Sequence, residues 1–333
     1  MPQTADQPRA RRRRHPLRWV AGFLVLIAVV GYFVVQRESN GGGGAPYCTA
    51  SVHGPNEDKG SPDEYVEMSP DQAANAATIA AVGVSKGMPD RAVTIALATA
   101  MQESQLNNLD HGDRDSLGLF QQRPSQGWGT PEQIMDPVYS AGIFYDRLGE
   151  IKGYSRLPLT VAAQKVQLSG FPQAYAKHEP DATVLTTALT GAGHLVCTGP
   201  APALAGDPAK VRTELSRLIG KSGLQTMPTV QRDASRTGDE GAGGSKAVAE
   251  SEVTLVEKRG GGDAAVRASR VLSGWAVANA RALAITRVSY SQNAWIAGKD
   301  GDRWQQKGGT GAKDGDGDRH NAESGEIRIF VRG

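Results

Sequence analysis

The chain has 333 residues, a formal net charge of +2 and only two cysteines. It is long enough for two domains of ordinary size. Residues 1–18 hold six of the 37 basic side chains and one of the 35 acidic ones, leaving 31 and 34 for the rest. That remainder lacks the basic surplus of nucleic-acid binding, so no nucleic-acid partner is expected.

Residues 1–18 read as an Arg-rich cytoplasmic tail. Trp19–Val35, WVAGFLVLIAVVGYFVV, is an uncharged apolar run of 17 residues, the short end of what a transmembrane helix needs. Trp19 and Tyr32 suit the two membrane interfaces. A cleaved signal peptide is the alternative, but Val34-Val35-Gln36-Arg37-Glu38 offers no small-x-small cleavage site. With the arginines before the span, the N-terminus is expected in the cytoplasm and everything after Gln36 outside. The expected localisation is therefore the cell membrane, single-pass, with an extracellular domain. Cys48 and Cys197 then lie in an oxidising compartment and are expected to form a disulfide, with two buried free thiols as the alternative. Closing a loop of about 150 residues is worth roughly 5 kcal/mol in the chain-entropy model.

Residues 36–68 read as spacer and loop, from NGGGGA at Asn40–Ala45 to a polar stretch at 51–68. Ser69-Pro70-Asp71-Gln72 is a helix start with a capping box, and Gly87 ends that helix near Lys86. A second helix starts at Pro89-Asp90 and runs to about Leu106, with Ala96, Thr99, Ala100 and Glu103 sharing a face. Glu103 thus projects among small side chains, where partial desolvation raises a carboxyl pKa. Further helices are expected at Pro137–Leu148, Leu159–Leu168 and Pro180–Leu189. After Cys197 the composition turns Pro/Ala/Gly-rich, with one helix capped by Asp207-Pro208, and residues 221–250 are polar. Ser251–Glu257, Ile285–Tyr290 and Glu326–Val331 alternate as strands around a helix at Asp263–Leu283.

Glu103-Ser104, a polar loop, and then Gly118-Leu119-Phe120-Gln121 resembles the Glu-Ser…Gly-Leu-Met-Gln signature of lytic transglycosylases. These are lysozyme-like, peptidoglycan-cleaving enzymes related to goose-type lysozymes, and the layout resembles a membrane-anchored actinobacterial type. The resemblance covers roughly residues 70–190. It implies that Glu103 is the catalytic acid/base and that Ser104 and the Gly118–Gln121 segment belong to the sugar cleft; Gln122, beside it, is a further substrate-binding candidate because its amide offers donors and an acceptor. Phe120 stands where the family has Met. The family's later Ala-Tyr-Asn-Ala-Gly segment has only Gln173-Ala174-Tyr175-Ala176-Lys177 as counterpart, which places Tyr175 in the site and leaves the Asn and Gly missing. Trp128 and Tyr145 are candidate aromatic faces for sugar rings. Hydrolysis wants a second carboxylate, and of Asp110, Asp113 and Asp115 in the intervening loop Asp115 is the first candidate.

These observations predict a mainly α lysozyme-like domain (69–198) after a single N-terminal transmembrane helix (19–35), then a linker with one short helix (199–250) and a small α+β domain (251–333). The expected activity is cleavage of the β-1,4 bond between N-acetylmuramic acid and N-acetylglucosamine in the peptidoglycan glycan strand, leaving either anhydro or reducing ends. The alternative is a non-catalytic peptidoglycan-binding or scaffold protein. No cofactor or metal is expected. Asp314, Asp316 and Asp318 have calcium-loop spacing, but Arg319 and Gly325 stand at the positions that require Gly and Glu. Trp275, Trp295 and Trp304 are read as core, with a ligand platform as the alternative.

Overall fold

The fold is taken from a computed structural model, which describes residues 45–52, 64–168, 172–220, 223–232, 249–258, 262–298, 303–306 and 326–333. The Arg-rich tail, the apolar run 19–35, most of the NGGGGA spacer and the Asp314–Asp318 loop lie outside these residues.

In chain order the helices are α1 (Pro70–Ser85), α2 (Asp90–Ser104), α3 (Pro131–Ile134), α4 (Pro137–Glu150), α5 (Leu159–Gln167), α6 (Glu179–Thr190), α7 (Pro208–Ile219) and α8 (Gly262–Ala278). The strands are β1 (Cys48–Val52), β2 (Glu64–Met68), β3 (His194–Cys197), β4 (Leu224–Thr226), β5 (Val230–Arg232), β6 (Glu250–Glu257), β7 (Ile285–Tyr290), β8 (Asn293–Ile296), β9 (Gln305–Gln306) and β10 (Ile327–Arg332). A three-stranded sheet has the order β2-β1-β3, and a larger one runs β4-β6-β10-β7-β8-β9, with β5 also on β6. All pairings are antiparallel.

The expected fold class is corrected by these findings. The described residues are about half helical and about 20% strand with two antiparallel sheets, rather than a mainly α domain followed by a small α+β domain. Among the described residues no helix is long and apolar enough to cross a membrane. The first sheet escapes the sequence pattern because β2 is an edge strand: Glu64, Tyr65 and Glu67 are exposed and only Met68 is buried, so the stretch looks like a polar loop. β4 and β5, three residues each, fall within another stretch read as loop.

The core is built around α1. Its start follows the sequence: the Ser69 hydroxyl accepts from the Gln72 N–H, and the Gln72 side chain accepts from the Ser69 N–H. Eleven of its 16 residues are buried, so the helix is covered nearly all round rather than along one stripe. Alanines let neighbours close in from several sides. At Gly83 an added Cβ would stand 2.7 Å from the Tyr145 hydroxyl of α4, which donates to the Ile79 carbonyl at 3.0 Å. On another side α1 packs against α8, and α8 lies on β7 of the larger sheet. Residues 45–333 form one compact unit. Trp275 and Trp295 are buried within it, and Trp304 donates its indole N–H to the Leu195 carbonyl at 3.0 Å.

Cys48 and Cys197 are directly opposed across β1 and β3 and form a disulfide. It fastens the start of the described unit to the strand that follows α6.

Candidate active site

Glu103 lies in the last turn of α2, beyond a face on which Ala96, Thr99 and Ala100 are fully buried. These small side chains let α6 and the 3-10 segment Pro172–His178 approach. The helix ends on two consecutive non-glycine residues in the left-handed region, Gln105 (φ 53°) and Leu106 (φ 62°), a conformation costing about 1–2 kcal/mol per residue. The surroundings hold them there. The Gln105 N–H donates to Met101 O at 3.0 Å and the Leu106 N–H to Ala100 O at 3.2 Å. From α1, Gln72 Nε2 donates to Gln105 O and Asn75 Nδ2 to Leu106 O, each at 2.8 Å. Overdetermined strain of this kind clusters at functional sites.

The Gly-Leu-Phe-Gln segment is a closed turn. Leu117 and Gln122 exchange both N–H···O bonds at 2.9 Å. Gly118 sits at φ +76°, and a Cβ there would come within 2.7 Å of the Ile134 carbonyl, so the position requires glycine. Leu119 and Phe120 are fully buried, with Phe120 stacked on Phe144 at 4.6 Å between ring centroids. The apolar pair anchors the turn, and its backbone is tied to the helices on either side. The buried Ser104 hydroxyl donates to Leu119 O at 2.8 Å, and Gln167, the last residue of α5, donates Nε2 to Phe120 O at 2.6 Å.

Glu103 meets the 3-10 segment, and its neighbours Ser104 and Gln167 connect it to this turn. The hydroxyl of Tyr175, itself fully buried, donates to Glu103 Oε1 at 2.6 Å. Burial pushes the Glu103 pKa above the ordinary carboxyl value, and the hydrogen bonds from Tyr175 and Gln167 pull it part of the way back. The result is a half-buried carboxyl group, held by two donors, with its acid form favoured over that of an exposed glutamate.

The other residues singled out in the sequence divide. Gln121 is half-buried in the left-handed region (φ 47°), its Nε2 donating to Gly118 O at 3.2 Å. Gln122 turns the other way. It is 1% exposed and donates to Ser140 O of α4 at 3.0 Å, so it braces the core. Asp115 accepts from Arg123 Nε at 2.7 Å and from the Ser125 N–H at 2.9 Å, which holds its carboxyl well below the usual range. It is an ionised clamp across the loop. Asp110 and Asp113 are solvent-facing. Tyr145 is buried in the core, and Trp128 is buried with the Arg147 guanidinium 3.4 Å above its ring, so neither offers an open aromatic face.

Sequence reasoning missed Gln167, which lies 64 positions from Glu103 and carries no local signal. It also missed His178, whose Nε2 is 3.2 Å from Gln102 Oε1 beside the acid and whose pKa burial lowers. Among the described residues no group of three or more His, Cys, Asp or Glu is placed to hold a metal ion. Compared with known proteins, the chain matches no family model and no curated sequence.

Proposed function

We propose that the protein cleaves the β-1,4 bond between N-acetylmuramic acid and N-acetylglucosamine in peptidoglycan, with Glu103 as the single acid/base. The observation that carries this reading is the half-buried Glu103 carboxyl, its pKa raised by burial and its orientation set by Tyr175, with the adjacent Ser104 bonded to the Leu119 carbonyl of the Gly118 turn. A carboxyl group that keeps its proton towards neutral pH is what protonation of a glycosidic oxygen needs. The choice of glycan rests on the Glu-Ser…Gly-Leu-Phe-Gln resemblance, and the disulfide fits an oxidising, external compartment.

Protonated Glu103 gives its proton to the glycosidic oxygen, and the N-acetylglucosamine leaves with a free 4-hydroxyl. The acetamido oxygen of the muramic acid closes onto the anomeric carbon. Glu103, now a carboxylate, takes the proton of the sugar's own C6 hydroxyl as that oxygen displaces the acetamido group, forming a 1,6-anhydro ring and restoring the acid. Asp115, held by Arg123 and Ser125, is committed to the loop, which favours this one-carboxylate route over a two-carboxylate hydrolysis.

Residues 45–333 incubated with purified peptidoglycan are expected to release anhydro-ended fragments seen by mass spectrometry, and Glu103→Gln is expected to abolish them. Reducing ends instead would make the enzyme a hydrolase. Absence of products from the wild type, or undiminished turnover by Glu103→Gln, defeats the catalytic reading and leaves a wall-binding protein.

A further inference from the structure

A depression of about 630 Å³ opens where the first turns of α1, the loop after α2 and the end of α8 meet. That volume is within the usual range for small-ligand sites. Six polar residues contribute to its wall: Asp71 and Asn75 from α1, Asn107 and Asn108 from the loop, and Asn279 and Arg281 from the turn after α8.

Three physical features set this groove apart from ordinary wet surface. First, its four asparagines are pinned. Asn75 donates Nδ2 to Leu106 O, Asn107 to Ser104 O, Asn108 to Met135 O and Asn279 to Trp275 O, all between 2.8 and 3.0 Å. Each carboxamide is therefore fixed before any ligand arrives. Asn75, Asn107 and Asn279 keep an Oδ1 acceptor that no hydrogen bond within the described residues uses. Second, one carboxylate and one guanidinium stand in the same groove, both exposed, and neither makes an ion pair or hydrogen bond among the described residues. Third, among the described residues no aromatic side chain lines the groove, so none of them receives the apolar face of a sugar ring.

We propose that this groove binds a short peptide carrying both a free ammonium and a free carboxylate, and that the occupant is the stem peptide of the cell wall. Asp71 takes the ammonium, Arg281 takes the carboxylate through paired N–H donors, and the pinned Oδ1 acceptors take peptide N–H groups. The identity of the occupant rests on the glycan-cleavage reading above; the chemistry of the groove does not. Asn107 and Asn108 follow Glu103 by four and five residues, on the far side of the strained Gln105-Leu106 turn. The same backbone turn thus presents the acid to the glycan and the amides to the peptide attached to that glycan. One wall belongs to α8 and the turn after it, which assigns the C-terminal part of the chain a share in substrate selection.

The test is calorimetric titration of the full-length protein with the free wall tetrapeptide, with its C-terminally amidated form, and with a peptide-free chitotetraose as the sugar probe. The tetrapeptide is expected to bind saturably. Arg281→Ala and Asp71→Asn, both at exposed positions with no ion pair among the described residues, are each expected to weaken it by about tenfold, 1.4 kcal/mol. Amidation is expected to weaken binding to the wild type by a similar factor and to cause no further loss in Arg281→Ala. Absence of saturable tetrapeptide binding at millimolar concentration, binding by either variant as tight as that of the wild type, or a sugar probe that binds and is itself weakened by them overturns the proposal. Binding is read without turnover, so failure of glycan cleavage leaves a positive result standing. A wild type that cleaves glycan but ignores the peptide overturns this inference alone.

Discussion

Replacing Tyr175 by Phe isolates the bond that holds Glu103. The ring stays, so the buried volume is kept, and only the hydroxyl that donates to Oε1 at 2.6 Å is lost. A hydrogen bond to a charged group contributes about 1.5–3 kcal/mol and one between neutral groups about 0.5–1.5 kcal/mol. The carboxylate therefore loses on the order of 1 kcal/mol more than the carboxylic acid does. The Glu103 pKa, already raised by burial, is expected to rise further. The consequence for stability has a definite sign. With its folded pKa above the unfolded value of about 4.5, Glu103 contributes stability that is fully present below that pH and is lost as pH rises through the folded pKa. Tyr175→Phe moves that upper limit higher and deepens the loss. The destabilisation by the variant is thus expected to be larger at pH 8 than at pH 4. Carbon-13 titration of the Glu103 carboxyl group, with urea unfolding at both pH values, measures both effects. A midpoint that is unchanged or lower in Tyr175→Phe, or a stability loss that is the same at both pH values, refutes the reasoning.

Gly118→Ala adds a Cβ at φ +76° and 2.7 Å from the Ile134 carbonyl. It is expected to cost at least about 1–2 kcal/mol in urea unfolding from the left-handed conformation alone, and a neutral result would show that the turn is not fixed as described. The double substitution Cys48→Ala/Cys197→Ala opens a loop spanning 149 positions. The chain-entropy model places the loss at roughly 5 kcal/mol, measured as the difference in unfolding free energy, and a loss under about 1 kcal/mol contradicts that model here.

Much of the helical frame is legible in the sequence because its signals are local. The Ser69/Gln72 box, Asp136-Pro137 and Asp207-Pro208 mark helix starts that the structure has, with each side-chain oxygen on the expected backbone N–H. Sheets are less legible where pairing is non-local and strands are short. β1 pairs with β3 across about 150 residues, and β2 hides as a polar edge. The site shows the same division. Glu103, Ser104 and Gly118 belong to one continuous pattern. Gln121 and Gln122 are neighbours with opposite fates, because the left-handed backbone at Gln121 leaves one at the turn and sends the other into the core. No residue-type signal separates two adjacent glutamines before that dihedral is known. Gln167 and the Asp115 clamp likewise arise from the way the chain returns on itself.

Periodicity identifies a buried face but never its partner, and α8 is a case of this. Its pattern suggests a core private to a C-terminal domain. Its packing against α1 instead joins the helical and strand-rich parts, and α1 in turn holds the strained turn after Glu103 through Gln72 and Asn75. Val271, Leu272, Trp275 and Val277 of α8 are all buried. At about 1.5–3 kcal/mol each, their burial is worth on the order of 10 kcal/mol, comparable to the whole stability of an ordinary domain. A chain ending at residue 220 keeps every residue placed around Glu103 yet loses that cover from α1. It is expected to lack cooperative urea unfolding and to expose Ala-rich α1 surface to a hydrophobic dye, whereas residues 45–333 unfold in one transition. If the shortened chain keeps its helical circular dichroism and unfolds cooperatively, the helical part is self-sufficient and the shared core is not what positions the acid.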